Sequence, residues 1–102
     1  MKLELRAINN HGEMFFAKGT FINRNGKMFF RTEPLGIEYP AHWAKKEEEL
    51  TESEKDRIVS RFNYIGKERL AMNKMIHPEN EREYIPLNYE QIVKLIDERE
   101  DI

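Results

Sequence analysis

Asn25-Gly26, set between two runs of alternating apolar residues, constrains this chain more than any other pair. A two-residue type I′ hairpin loop needs positive φ at both central positions, which asparagine and glycine tolerate. With these two residues in the loop, Arg24 faces Lys27, Ile22 faces Phe29 and Phe21 faces Phe30, and the period-2 alternation of a strand assigns the rest. One face then carries Phe15, Ala17, Gly19, Phe21, Met28 and Phe30. A first strand over about Lys2 to Ile8 joins through the Asn9-Asn10-His11-Gly12 turn. Pairing Leu5 with Ala17 adds Leu3, Leu5 and Ala7 to the same face. The pattern predicts an N-terminal three-stranded antiparallel sheet with its Phe15/Phe21/Phe30 face turned to the core.

The other face of this sheet interleaves basic and aromatic groups: Arg6, Lys18, Lys27 and Arg31 among Phe16 and Phe29. Open sheets that bind single-stranded nucleic acid stack bases on aromatics while cations follow the phosphates, so this face is a candidate for that chemistry. It equally fits a protein interface, where aromatics sit inside a basic rim. A third reading is that the segment from Tyr84 to Ile102 covers the face and makes Phe16, Ile22 and Phe29 a second small core.

After Pro34-Leu35-Gly36 the texture changes. Residues 1–36 carry 6 basic and 3 acidic residues, residues 37–102 carry 11 and 16, so the net −2 is the sum of +3 and −5. Residues 37–50 form a turn-rich connector in which Pro40 can open a short helix through Trp43 to Leu50. Tyr39, His42 and Trp43 on this connector are further candidates for partner contact. Thr51-x-x-Glu54 is a capping box, and Ile58, Phe62, Ile65, Met72 and Ile76 follow at helical spacing, predicting a helix over 51–76. Phe62 to Gly66 could instead be the turn of a helix-turn-helix. The apolar spacing runs through Gly66 without a phase break, which favours one helix closely packed at the glycine. His77-Pro78 ends it, because a residue before proline is pushed out of the helical region. Residues 77–87 read as a loop. A terminal helix over 88–102 is predicted from the Asn88/Gln91 capping box, the Leu87 to Ile92 staple and the Tyr89, Ile92, Val93, Ile96 face. The fold class expected is α+β, as one domain spanning residues 1–102.

Catalytic chemistry finds little support. Ser53 and Ser60 lie in helix turns without a nucleophile elbow, and the five glycines are isolated, so no phosphate cradle is formed. His11, His42 and His77 have no metal-ligand spacing, and the chain has no cysteine, so neither a metal nor another cofactor is expected. Lys18, Lys27, Arg31 and His11 would be the groups of a small ribonuclease, without a motif behind them. No run is long and apolar enough for a membrane span and Met1-Lys2-Leu3-Glu4-Leu5 is no signal core, so a cytoplasmic location is expected. A near-neutral total charge argues against a dedicated phosphate binder. Together these features favour a small non-enzymatic protein-binding regulator or inhibitor docking on a larger macromolecule, with nucleic-acid binding as the alternative. Phage and mobile-element accessory proteins commonly share this size and composition.

Overall fold

In the computed structural model, which describes residues 2–99, the Asn25-Gly26 loop forms with φ of 53° and 86°. It joins β2 (Glu13–Arg24) to β3 (Lys27–Thr32), pairing Arg24 with Lys27, Ile22 with Phe29 and Phe21 with Phe30 as the sequence requires. The preceding hairpin differs from expectation by one residue. Its loop is only His11-Gly12, with His11 at φ 53°, so β1 (Glu4–Asn10) pairs Leu5 with Lys18 and Ala7 with Phe16. A one-residue slip turns a strand over. Leu5 and Ala7 therefore join Met14 and Phe16, while Arg6 and Ile8 join Phe15, Ala17 and Phe21.

Two further strands correct the three-stranded reading. The turn-rich connector over 37–50, in which Pro40 could have opened a short helix, instead forms β4 (Glu38–Pro40), a 3-10 turn (Ala41–Trp43), β5 (Ala44–Lys45) and a second 3-10 turn (Glu47–Glu49). The antiparallel sheet has the order β4-β3-β2-β1-β5. Its outermost strands are thus neighbours in sequence. In a flat sheet they would lie ~19 Å apart at ~4.8 Å per strand, whereas the stretch from Pro40 to Ala44 reaches at most ~14 Å. The sheet must curl, and the Ala41–Trp43 turn, which touches both β1 and β3, closes the curl. Ile8 and Phe30 are fully buried inside it, with Phe21 edge-on to Phe30 at 5.0 Å. Gly19 is the hinge of this arrangement, pairing with Glu4 on one side and Thr32 on the other. A Cβ there would collide with the Arg31 carbonyl oxygen.

The helices are α1 (Glu52–Ile76) and α2 (Tyr89–Asp97). Both capping boxes form, Thr51 with Glu54 and Asn88 with Gln91, so orphan N–H groups at each start are satisfied. The second helix stops at Asp97, short of its expected end; residues 100–102 of that expectation lie outside the described residues. Helix α1 continues unbroken through Gly66, which removes the helix-turn-helix reading. The face on which they pack is the reverse of the one expected. Ala7, Met14 and Phe16 form the main core with Leu50, Ile58, Ile92 and Ile96, whereas the Ile8/Phe30 face is closed by the sheet's own curl. The slip in β1 contributes to this, because it moves Leu5 and Ala7 to the Met14/Phe16 side and Arg6 away from it. No helix among the described residues is long and apolar enough to cross a membrane.

Candidate functional site

The interleaved face is only partly open. Phe16 is 7% exposed, packed near Tyr89 of α2 with ring centroids 5.8 Å apart. The Lys18 ammonium donates to the Asp97 and Arg99 carbonyls at the end of α2, at 2.9 and 3.3 Å, where the residual negative end of a helix favours a cation. The reading in which the C-terminal segment covers this face thus holds at Phe16. Farther along, Phe29 is half-buried, Lys27 and Arg31 are exposed, and Arg31 lies 3.4 Å from Glu33. Arg24 grips Glu38 through two bonds of 2.6 Å, which holds the Glu38 carboxyl below its usual range. Arg6 is not on this face at all. It lies on the opposite one, paired with Glu4 and stacked over Phe21 at 5.3 Å.

The connector aromatics gather elsewhere. Trp43 stands edge-on to His11 at 5.2 Å and near Tyr39 at 6.1 Å, and Tyr39 meets Phe15 at 5.9 Å. His42 is exposed beside Trp43, at 6.3 Å. The nine candidates therefore divide into a half-covered sheet face, a separate aromatic row and an isolated Arg6. Among the described residues no group of three histidine or carboxylate side chains is placed to hold a metal ion.

A different site is built where α1, α2 and β2 meet. Tyr84 to Leu87 runs back along α1 as a strap, and Asn63 fastens it: its amide donates to the Leu87 carbonyl at 2.9 Å, and its oxygen accepts from the Leu87 N–H and the Tyr84 hydroxyl at 3.0 and 2.6 Å. Gly66, one turn on, leaves room for the Tyr84 ring, which a Cβ would meet at 2.5 Å. Asparagine and glycine are both poor helix formers, and the close approach of the strap accounts for their presence in mid-helix. The strap walls a cleft of about 410 Å³ lined by Phe16, Ile58, Phe62, Ile65 and Ile96, with Arg61, Arg69 and Arg99 at its border. A neighbouring hollow of about 460 Å³ shares Phe15, Phe16, Ile96 and Arg99 with it.

A third surface lies beyond the strap. The α1 residues in or against the core are Ile58, Val59 and Phe62. Farther along the helix Met72 and Ile76 on the same stripe, and Met75 beside it, are 62%, 72% and 82% exposed. Helical spacing marked Met72 and Ile76, but not Met75, as apolar-face residues, and periodicity carries no information about where the underlying sheet ends. The strap had a legible signal in Gly66; the arginine border had none, because Arg61, Arg69 and Arg99 come together only through packing. No family model, curated protein or solved structure matches this chain.

Proposed function

We propose that this chain is a non-enzymatic protein-binding module, a regulator or inhibitor that docks on a larger protein through the projecting half of α1. The observation that carries this reading is the Met72/Met75/Ile76 ridge: three large apolar side chains at i, i+3 and i+4, all mostly exposed on a continuous helix. An exposed contiguous apolar patch is typical of a contact surface. Methionine suits one, because its flexible thioether adapts to the partner's shape. An amphipathic helix laid into a partner's groove uses this spacing of anchors. The sheet face is less suited to nucleic acid than its sequence implied, since Phe16 is covered, Lys18 is bonded to α2, and Arg24 and Arg31 are matched by Glu38 and Glu33.

The test is an affinity capture from nuclease-treated source lysate with the wild type and a Met72→Glu/Met75→Glu variant side by side. A stoichiometric partner held by the wild type and lost by the variant is expected. Equal capture by both, or none by either, would overturn the reading.

A further inference from the structure

The cleft beneath the strap is separate from the Met72/Met75/Ile76 ridge, and its chemistry points to a different occupant. From its geometry we infer that it binds a small amphipathic anion, an aliphatic body carrying a carboxylate head. Its volume of about 410 Å³ lies within the range of small-molecule sites, and an apolar lining with a few converging polar groups is their usual make-up. Phe62, Ile65 and Ile96 supply surface for a hydrocarbon tail.

The border selects the sign of the head group. Arg61, Arg69 and Arg99 line one cleft, and no carboxylate of the described residues pairs closely with any of them: Arg69 and Arg99 form no ion pair there, and Arg61 reaches Glu13 only at 3.8 Å. Two cations elsewhere show the closer pairing that this cleft lacks, Arg24 with Glu38 at 2.6 Å and Lys45 with Glu54 at 2.8 Å. With three guanidinium groups lining one largely apolar hollow, a carboxylate entering it can accept charge-assisted hydrogen bonds from them. Arg61 is held 4.7 Å over the Phe15 ring, which keeps its fork at the rim. The wall opposite is held in place without a ligand, because Asn63 already fastens the strap with three hydrogen bonds. Little ordering is therefore left for binding to accomplish.

Three probes with the same tail separate head group from grease: decanoate, decanol and decyltrimethylammonium, each titrated below its micelle concentration and followed by backbone amide shifts and calorimetry. Decanoate is expected to bind with shifts centred on Phe62, Ile65 and Ile96, and decanol about tenfold more weakly, the equivalent of one lost charge-assisted hydrogen bond. The cation should bind weakest of the three. Arg69→Gln and Arg99→Gln, both at exposed positions, should each weaken decanoate several-fold with no change in decanol affinity or unfolding midpoint. Ile65→Trp should block both ligands by filling the cleft. Equal affinity for decanoate and decanol, no decanoate binding, or shifts confined to the Met72/Met75/Ile76 ridge would each overturn the assignment.

Discussion

Gly66 is the residue whose role is least visible from its neighbours in sequence and most definite in space. Alanine is worth about 1 kcal/mol over glycine in a helix interior, yet at this position its methyl group would drive Tyr84 off the helix and break the bond to Asn63. Gly66→Ala should therefore destabilise the wild type by about 1 kcal/mol and stabilise a Tyr84→Ala background by a similar amount. A double-mutant cycle in urea measures both, and the same sign in the two backgrounds would refute the contact. Glu54 concentrates several bonds in one carboxylate. It is only 8% exposed, accepts from the Lys45 ammonium at 2.8 Å and from the Thr51 N–H at 3.0 Å, and these bonds hold its pKa below the ordinary value. Its stabilising effect is complete above the usual carboxylate range and is lost as pH falls from that range through the lowered folded value. Glu54→Gln should cost about 2 kcal/mol at neutral pH and flatten the acid limb of the stability profile.

Among the elements, α2 depends most on one side chain. Tyr89, its first residue, packs near Phe16, carries Lys55 over its ring at 5.1 Å and donates its hydroxyl to Glu47 at 3.3 Å. Burial first, then the Glu47 charge, pushes its pKa up to about 12. The folded chain thus holds this proton more tightly than the unfolded chain. Its contribution is complete below the ordinary tyrosine value of ~10 and is lost as pH rises from there through about 12. Tyr89→Phe should remove part of the alkaline loss of stability, on the order of 2 kcal/mol between those limits; thermal melts across this window check it, and parallel profiles for the two proteins would contradict it. The strap answers to Asn63 in the same way. Asn63→Ala leaves the Leu87 N–H and carbonyl without their partner, so hydrogen exchange at Leu87 should accelerate and stability should fall by about 2 kcal/mol.

At the scale of the whole molecule the shape is elongated. The radius of gyration is 15.5 Å and the extents are 53 × 30 × 24 Å, against ~13 Å for a compact domain of this length. The length of α1 accounts for much of this: 25 residues span ~37 Å, and its core residues lie in the first half. Met72→Glu/Met75→Glu should consequently leave the unfolding midpoint and the scattering radius unchanged, because exposed side chains away from packing change stability by less than ~0.5 kcal/mol. A drop of several degrees in Tm would show that these methionines are packed and would undercut the docking surface.

The second hairpin and both capping boxes were determined by the sequence alone, since each rests on residues within a few positions of one another: Asn25-Gly26, Thr51 with Glu54, Asn88 with Gln91. What the tertiary structure decided was which face of the sheet the helices cover. That choice hinged on whether His11 would accept a left-handed backbone and shorten the first loop, a local difference of a single residue that inverts β1. The pairing of Glu38–Pro40 with the preceding strand and of Ala44–Lys45 with the distant β1 was likewise illegible, because segments of three and two residues carry no periodicity. The candidate sites follow the same division. Arg6 shares a pattern in sequence with Phe16, Lys18 and Phe29 but lies on the opposite face of the sheet, whereas Arg61 and Arg69, about two turns apart on one helix, and Arg99, just past the end of another, line one cleft. Short-range stereochemistry writes the elements into the chain; long-range burial, which minimises exposed apolar area over the whole molecule, chooses how they meet.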